Sequence, residues 1–445
     1  MPASGAAHHA PFATDWVRVY PRPHNVTAKV MTYFRQYAKR LTGERYARAL
    51  RKAGEDYRAP PIRPYHIDDV ISHFQHPHTS PGLPWTTLGF RRKDEVPLSS
   101  VKAAIRMYRQ GIWNKCTSPC NAVCRSMVAK TPKHRLIWVY PMHMVLAEGM
   151  FAQPLISYHT HKRGTYGQWI QFSKGHLRSL MSRKPRKMQW LGIDYSAYDS
   201  TVPPWLIRDA FSILEASIDF NSYAGYGHPK KPDELRRLWR VIVNYFINTP
   251  VKLPSGVVLR KSGGVPSGSY FTSLVNSVCN SIIKHYILDE VEYSRDANWE
   301  LGDDCLVAVA DTFTMEGLDT VANKAFGVNV NEDKSECGQY VSFLGYRMSP
   351  SGIPMANYQK LMAQLCLPER PDKCLEETVS RVRALQLSCF GRGCLPFVFE
   401  TQAWLESQGM SDYTPRLHKR SELYIKLSAL DLASFPPLTK VMMMV

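Results

Sequence analysis

The chain has 445 residues, of which 44% are hydrophobic, and its formal net charge is +18. This length predicts one large multi-lobed unit or two to three domains, and the hydrophobic content excludes an intrinsically disordered chain. The excess of Lys and Arg implies an anionic partner, and nucleic acid is favoured over a membrane surface, because displaced phosphate counterions drive binding and no basic amphipathic helix stands out.

The N-terminal sequence has neither an apolar signal region nor a glycine after Met1 for lipid attachment. No apolar run is long enough to span a bilayer. The ten cysteines lie mostly within apolar or helical stretches, which favours a reducing compartment over a disulfide framework. We therefore expect a soluble, intracellular protein with no membrane partner.

The first part of the chain alternates Pro- or Gly-rich stretches with helical and extended patterns. Residues 1 to about 28 predict an extended arm, and the spacing over 26–58 predicts a helix with a basic outer face. A Pro/Gly loop at 76–85 precedes a second helical stretch at 98–113. The segment 126–141 predicts two strands joined by a basic turn.

An acid ends the next predicted strand, which runs from Met188 to Asp194. The pattern then changes to helical spacing. Thr201 is the expected N-cap, and Pro203 and Pro204 suit the first turn of that helix.

A Gly/Ser-rich loop at 262–269 leads into a helix from Tyr270. On that helix Thr272, Asn276 and Asn280 are four residues apart and therefore share one face. Glycine permits close approach of a ligand to the backbone, and a helix N-terminus favours anions. The loop predicts a ligand contact, and a flexible linker is the alternative.

Two adjacent acids, Asp303 and Asp304, follow Gly302 at the predicted turn between two short strands. A solvated turn is the simpler interpretation of this triplet alone. Two more acids, Asp194 and Asp199, lie at another strand end, and an antiparallel sheet can bring a strand end and a hairpin tip together. Converging carboxylates repel one another unless divalent cations lie between them, and Mg²⁺ suits hard oxygen ligands and phosphates.

The pattern after about residue 357 is mostly helical. Two other features resemble metal sites but are interpreted otherwise. Cys116, Cys120 and Cys124 have helical spacing, which predicts a packed helix face. Five histidines lack partners at zinc-finger spacing and are interpreted as loop residues: His73, His76, His78, His159 and His161.

Seven stretches, in order along the chain, resemble the motifs of viral RNA-dependent RNA polymerases. They are motif G (TSPGLPW, 79–85), F (RSMVAKTPKHRLIWVYP, 125–141), A (DYSAYDS, 194–200), B (SGGVPSGSYFTSLVN, 262–276), C (LGDD, 301–304), D (NEDKSE, 331–336) and E (VSFLGYR, 341–347). The sequences around motifs A and B are especially similar to those of partitiviruses, small double-stranded RNA viruses. Motifs C and F are weakly specific alone, but the full ordered set is strongly specific.

The resemblance implies an α+β right-hand polymerase with an antiparallel palm sheet, fingers and a helical thumb. It also implies five segments. These are an N-terminal extension and fingers (1–187), palm with motif A (188–204), a fingers insertion and palm helix (205–261), palm with motifs B to E (262–350), and thumb (351–445).

The implied activity is template-directed RNA synthesis by two-metal nucleotidyl transfer. Asp194 and Asp303 would be the principal ligands of two Mg²⁺ ions, with Mn²⁺ as a possible substitute. Asp304 would lie near the second ion or the primer end. Asp199 and Asn276 would recognise the ribose, since a carboxylate and an amide can both hydrogen-bond a 2′-hydroxyl.

Basic residues would handle the phosphates. Lys334 in motif D would donate a proton to the leaving pyrophosphate, with a plain surface lysine as the alternative. Motif F would neutralise the triphosphate, with a solvated basic hairpin as the alternative; its residues are Arg125, Lys130, Lys133 and Arg135, of which Arg135 would contact phosphate directly.

Two loops would contact nucleotide and template. In motif B, Ser267, Gly268 and Thr272 would contact the incoming nucleotide or the template. In motif G, Ser80 and Gly82 would line the template path, with an ordinary Pro/Gly loop as the alternative.

The implied partners are a viral RNA template, the product duplex, ribonucleoside triphosphates and, by analogy, a viral capsid protein. The implied location is the virion interior and the host cytoplasm. Two other functions stay open. A reverse transcriptase would be distinguished at Asp199 and Asn276 and by use of deoxynucleotides. The other alternative, a non-enzymatic RNA-binding or capsid-associated protein, would not explain why the chain carries these motifs in order.

Overall fold

The computed structural model describes residues 15–74, 77–112, 117–389, 394–411 and 422–443. Its first elements are β1 (Val17–Arg18), α1 (Pro23–Met31), α2 (Glu44–Asp56), α3 (Ile67–Ser72) and α4 (Leu98–Arg109). The single helix predicted over 26–58 is wrong, because the chain leaves the helical conformation after α1 and Gly43 then adopts a φ of 100° before α2. His76 and Trp113 lie outside the described residues.

A long antiparallel ribbon follows, formed by β2 (Cys120–Ala129) and β3 (Lys133–Val139). Strand β1 pairs with β2, and the sheet is extended by β6 (Pro250–Lys252), which is parallel to β2, and by β7 (Val258–Arg260). The predicted strand, basic turn and strand are confirmed.

The helical spacing inferred for the cysteines is wrong. Cys120 and Cys124 lie on β2, where a period of two also places every fourth residue on one face. Cys116 lies outside the described residues.

Helix α5 (Met142–Lys162) is almost continuously buried from Met142 to Leu155. His159 and His161 lie on this helix and not in a loop, because the helical segment continues to Lys162. The part before the central sheet also contains three single 3₁₀ turns, which are Lys93–Glu95, Gly167–Trp169 and Phe172–Lys174. The short helix α6 (His176–Ser182) follows them.

The central sheet has the order β11-β4-β9-β8, and all of its pairs are antiparallel. Its strands are β4 (Met188–Ile193), β8 (Tyr293–Leu301), β9 (Asp304–Ala310) and β11 (Glu336–Gly338). Both faces of β9 are covered. Cys305, Val307 and Val309 join the main core, whereas Leu306 and Ala308 join a second cluster that includes Trp190 and Trp299. This explains why β9 has an uninterrupted apolar sequence.

The chain between β4 and β8 supplies further helices of the main core. Besides β6 and β7, its elements are in order β5 (Tyr195–Ser196), α7 (Tyr198–Thr201), α8 (Pro204–Glu215), α9 (Glu234–Ile247) and α10 (Thr272–Ile287). Helix α10 packs against α2, α8 and β8. It therefore forms the layer beneath the motif C hairpin.

Thr201 is not an N-cap. It is the last residue of the short helix α7, and its hydroxyl donates to the carbonyl oxygen of Tyr198 at 2.9 Å. The following helix begins at Pro204, so only the expectation for the prolines is confirmed.

The rest of the chain begins with small β elements and ends in helices. After helix α11 (Leu318–Phe326), the β elements are β10 (Asn329–Val330, paired with β5) and a sheet of β12 (Val341–Phe343), β13 (Tyr346–Met348) and β14 (Pro354–Met355). The final helices are α12 (Tyr358–Cys366), α13 (Leu375–Gln386), α14 (Leu395–Ser407), α15 (Glu422–Ala429) and α16 (Leu438–Met443). The helical pattern expected after residue 357 is confirmed, while the five-segment division stays a prediction.

Candidate active site

The strand register brings the predicted acids to one end of the central sheet. Ile193 on β4 lies opposite Cys305 on β9. Asp194 directly follows Ile193 and Asp304 directly precedes Cys305, so their backbones are neighbours across an antiparallel pair. Residues that are more than one hundred positions apart in sequence thus meet at one sheet end.

Asp303 lies beside them in a two-residue turn. Leu301 pairs with Asp304, so Gly302 and Asp303 form the tip of the β8–β9 hairpin. Gly302 has a φ of 68°, which a tight hairpin turn requires and which glycine adopts without strain. Asp303 is exposed, whereas Asp304 is partly buried.

The pKa values of three acids are raised by burial and, to a lesser extent, by neighbouring carboxylates. Burial, followed by the negative charges of Asp303 and Asp194, raises the pKa of Asp304 to about 7. Burial and Asp303 also raise the pKa of Asp199 to about 6. Burial raises the pKa of Asp194, where Lys334 opposes the shift and Asp303 adds to it. The negative charge of Asp303 therefore helps to raise the pKa of all three carboxyl groups.

Helix α10 holds the hairpin tip in place. The Ser277 hydroxyl accepts a hydrogen bond from the backbone N–H of Gly302 at 2.8 Å. The Asn280 amide donates to the carbonyl oxygens of Gly302 and Asp303, both at 3.1 Å. The sequence had placed Asn280 on the same helix face as Asn276, but its contact with the turn was not predicted, nor was that of Ser277.

Asp199 and Asn276 form a direct pair. The Asn276 Nδ2 donates to Asp199 Oδ1 at 2.8 Å. Asn276 is 4% exposed, and its buried Oδ1 has no hydrogen-bond partner among the described residues. An unused buried acceptor next to a carboxylate is suited to a hydroxyl donor.

The motif B loop is fastened to the ribbon. The Ser267 hydroxyl donates to the carbonyl oxygen of Leu136 at 2.7 Å, and the Thr272 hydroxyl donates to that of Pro266 at 2.6 Å. A β-carbon at Gly268 would lie 1.6 Å from the carbonyl oxygen of Trp138. These hydroxyls are engaged with backbone, and their predicted contacts with nucleotide or template stay predictions.

The basic ribbon presents cations towards the acids. Arg135 and Lys133 are exposed and two residues apart on β3, so they share a face. The charge of Arg135 lowers the pKa of Asp199, although burial still raises it to about 6 overall. The charge of Lys133 likewise lowers the pKa of Asp194, against the larger effect of burial.

The two other ribbon cations differ from this pair. Arg125 lies opposite Arg135, but its Nε donates to Glu369 Oε2 at 2.8 Å, beyond α12. Lys130 is exposed at the turn of the ribbon. Phosphate binding by either residue stays a prediction.

Lys334 lies beside the first acid, with its Nζ 3.8 Å from Asp194 Oδ2. The neighbouring Ser335 accepts a hydrogen bond from the Asp194 backbone N–H at 3.1 Å. Asn331 N–H donates to the Asp194 carbonyl oxygen at 2.8 Å. Motif D thus fixes the backbone of Asp194, a role that the polar sequence did not reveal.

The motif G loop packs against the chain that follows β3. Gly82 is buried with a φ of 67°, and a β-carbon there would lie 2.6 Å from the carbonyl oxygen of Tyr140. The Ser80 hydroxyl accepts from Gly82 N–H at 3.3 Å. The loop therefore has a defined path next to motif F, and its predicted contact with template stays a prediction.

Within the described ranges, no group of three or more His, Cys, Asp or Glu side chains is arranged so that it could hold a metal ion by itself. It does not conflict with Mg²⁺ in the acidic cluster, because Mg²⁺ commonly takes one or two carboxylates and completes its shell with water and substrate phosphates. Of the described helices, none has both the length and the apolar character to cross a bilayer.

A family model described as viral RNA-dependent RNA polymerase matches residues 20–369. The chain is 29% identical over 299 residues to the RNA-directed RNA polymerase of Cryptosporidium parvum virus 1 (strain KSU-1), which covers 60% of this chain and 54% of that protein. It is 24% identical over 281 residues to the RNA-directed RNA polymerase of White clover cryptic virus 1 (isolate Boccardo/2004), covering 56% and 45%. The chain therefore spans about half the length of these two relatives.

The fold is similar to the crystal structure of the RNA-dependent RNA polymerase of a human picobirnavirus. The TM-score is 0.65 at 14% sequence identity, with 88% of this chain and 74% of that chain covered. This likeness confirms the predicted fold class, a mixed α and β polymerase fold with antiparallel sheets.

Proposed function

Because the chain belongs to the viral RNA-dependent RNA polymerase family, we propose that it copies a viral RNA template and so replicates and transcribes a double-stranded RNA genome. The observation that carries this proposal is the register of β4 and β9, which puts Asp194 next to the Asp303–Asp304 turn. Polar and basic groups lie near these acids: Asn276 is bonded to Asp199, Lys334 lies beside Asp194, and Arg135 acts on Asp199. The reaction is attack by a 3′-hydroxyl on the α-phosphorus of a nucleoside triphosphate, which forms a phosphodiester and releases pyrophosphate.

Asp194 and Asp303 are proposed as ligands of two Mg²⁺ ions, with Asp304 near the second ion and Mn²⁺ as a substitute. The donor set fits, since all three groups offer hard carboxylate oxygens. Burial, and then the charges of neighbouring carboxylates, raises the pKa values of Asp194 and Asp304, and bound cations would offset both effects. Such ions supply charge stabilisation for the attacking and leaving oxygens.

Asp199 and Asn276 are proposed to select ribonucleotides. The free Oδ1 of Asn276 can accept from a 2′-hydroxyl, and the Asp199 carboxylate can do the same. A deoxynucleotide would leave these buried polar atoms unpaired, which is costly. This pair favours an RNA polymerase over a reverse transcriptase.

Basic and small residues are proposed to hold the substrate phosphates. Lys133 and Arg135 share the ribbon face that acts electrostatically on the acids, so they are assigned to the triphosphate, with Arg135 as the direct contact. Lys130 and Arg125 are proposed to assist phosphate binding from the same ribbon, where Arg125 also forms an ion pair with Glu369. The motif B residues Ser267, Gly268 and Thr272 are proposed to contact the incoming nucleotide or the template from a loop that Gly268 allows to pack closely on the ribbon.

Lys334 is proposed as the proton donor to pyrophosphate. Its ammonium group lies 3.8 Å from the Asp194 carboxylate, and its side chain is exposed. A positioned general acid typically increases the reaction rate by about 10²–10⁴-fold. Template is proposed to pass the motif G loop at Ser80 and Gly82.

The partners follow from this activity: template RNA, product duplex and ribonucleoside triphosphates. A viral capsid protein is a further proposed partner, and the virion interior and host cytoplasm are the proposed locations. These proposals rest on the similarity to the viral RNA-directed RNA polymerases reported above and on the net charge of +18, which suits binding to RNA.

The test is incubation of the purified protein with a single-stranded RNA template, four ribonucleotides and Mg²⁺. The wild type should form double-stranded product, and Asp303→Asn should form none while it keeps its fold and its RNA affinity. A parallel reaction with deoxynucleotides should give little product. Equal product from both proteins would contradict the role of Asp303, and no product from the wild type with RNA binding intact would favour a non-enzymatic RNA-binding protein.

A further inference from the structure

A basic cavity lies apart from the candidate active site. Its volume is about 710 Å³, and its walls are α4, the residue before α3, the loop around 223–231 and the first turn of α9. Pockets of about 300–1,000 Å³ commonly hold small ligands. No residue of its lining belongs to the predicted catalytic, metal, nucleotide or template sets.

The lining carries a strong positive charge. Glu234 is the acid among the lining residues, against these cations: Lys102, Arg106, Arg109, Lys230, Lys231 and Arg237. Such an excess in a concave site concentrates field lines and attracts a polyanion.

Three of the cations already have partners. Lys102 is ion-paired with Asp68, and Arg109 Nη1 lies 3.7 Å from Glu234 Oε1. Arg237 Nε donates to the carbonyl oxygen of Arg109 at 2.8 Å. These contacts hold the cavity walls in place and involve three of the six cations.

Arg106, Lys230 and Lys231 are exposed, and their side chains form no ion pair or hydrogen bond with the described part of the chain. They come from two separate elements, helix α4 and the loop before α9. Three uncompensated cations that face one cavity are therefore available to an external anion.

The cavity also offers an aromatic surface. The rings of His66 and Tyr226 stack with centroids 4.4 Å apart at 21°, and Tyr226 is 51% exposed. The Tyr226 hydroxyl donates to Asp69 Oδ1 at 3.2 Å, and the loop is closed by a 2.7 Å bond from Tyr223 N–H to the Gly227 carbonyl oxygen. The ring is thus held in one orientation with a face free to stack on a base.

We propose that this cavity binds one nucleotide of a single-stranded RNA segment, outside the active site. The base stacks on Tyr226, and Arg106, Lys230 and Lys231 contact the adjoining phosphates. An acidic peptide would use the cations but not the ring pair, so the combination favours RNA. The inference concerns binding alone, so its outcome is independent of whether the protein catalyses nucleotidyl transfer.

The test uses a triple variant, Arg106→Gln/Lys230→Gln/Lys231→Gln, and a separate Tyr226→Ala variant. A matched control removes one arginine and two lysines from exposed positions on other elements: Arg51→Gln, Lys324→Gln and Lys440→Gln. Single-stranded RNA that contains 4-thiouridine is photocross-linked to each full-length protein without ribonucleotides, and the adducts are mapped by mass spectrometry. Affinity is measured by anisotropy over a range of salt concentrations.

In the wild type and the control, adducts should map to the 223–231 loop. The triple variant should lose these adducts about tenfold, keep those at the motif segments, and show a salt slope lower by about 2, as expected for three single-strand phosphate contacts. Tyr226→Ala should lose the loop adducts with an unchanged salt slope. The proposal is overturned if the wild-type loop gives no adducts, if the control and triple variants behave alike, or if a photoreactive polyglutamate peptide or ATP labels the loop and RNA does not compete.

Discussion

The hydrogen bonding of Asn276 indicates most clearly which chemical group of a substrate the site would bind. Its amide nitrogen is bound to Asp199, and its buried oxygen has no partner within the described residues. A buried acceptor that stays unpaired costs free energy, which a hydroxyl-bearing substrate would recover. The pair is therefore expected to matter for substrate choice more than for folding.

We predict that Asn276→Ala lowers the preference for ribonucleotides over deoxynucleotides by at least about tenfold, because one of the two groups that bind the 2′-hydroxyl is removed. The measurement is single-nucleotide incorporation of ATP and dATP on one primed template. Thermal unfolding of the variant serves as the control for folding. An unchanged ratio with a lower rate for both nucleotides would mean that Asn276 only positions the loop.

Asp304 gives a prediction for pH. Its pKa of about 7 in the folded chain lies above the ordinary aspartate value of about 3.9. Between these values the folded state binds more protons than the unfolded state, so this group's contribution to stability is lost as the pH rises through about 7. Without metal, the free energy of unfolding of the wild type should fall relative to Asp304→Asn between about pH 5 and about pH 8.

Denaturant unfolding of both proteins in EDTA checks this difference, and addition of Mg²⁺ should restore wild-type stability at about pH 8 but not in the variant. Parallel pH profiles for the two proteins, with or without Mg²⁺, would contradict the crowding of the acids.

Among elements, the contact between α10 and the β8–β9 hairpin determines where Asp303 lies. Asn280 bonds two successive carbonyl oxygens of the turn. We predict that Asn280→Ala slows nucleotide incorporation by about 10²-fold, since a displacement of about 1 Å can have this effect, with RNA affinity unchanged. Asn323→Ala, an exposed change on α11, is the matched control. Equal rates for both variants would show that the turn does not need this support.

The packing of the motif B loop on β3 gives a second prediction at this scale. Gly268→Ala places a β-carbon 1.6 Å from the Trp138 carbonyl oxygen, so backbone must move and the melting temperature should fall clearly. Gly54→Ala, in α2 with nothing within 4 Å of the new carbon, should instead stabilise by about 0.5–1 kcal/mol. Differential scanning calorimetry compares the two. Similar melting temperatures would contradict the close approach of loop and ribbon.

The same elements show what the sequence can predict. The β8–β9 hairpin followed from local information, because Gly302 suits a tight turn and the apolar run after Asp304 suits a doubly covered strand. The non-helical segment between α1 and α2, which ends at Gly43, was missed because the apolar residues keep a helical spacing through it. The partners of Gly302 on α10 were also missed, because contacts over more than twenty residues leave no periodic signal.

At the scale of the whole molecule, the N-terminal segment, the ribbon and the C-terminal helices are joined. Arg18 Nε donates to the Leu367 carbonyl oxygen at 2.8 Å, and its Nη1 donates to that of Ser126 at 2.9 Å. Arg125 on the same ribbon pairs with Glu369. These contacts between distant segments restrain the ribbon, which carries Lys133 and Arg135 beside the acids.

The central claim is that Asp194 and Asp303 share divalent cations at one end of the sheet. Fe²⁺ substituted for Mg²⁺, with ascorbate and peroxide, cleaves backbone close to the bound ion, so the cut sites map the centre directly. We predict cuts near both residue 194 and residues 303–304, suppressed by excess Mg²⁺ and absent in Asp303→Asn. Cuts near one segment alone, or cuts that persist in Asp303→Asn, would contradict the account.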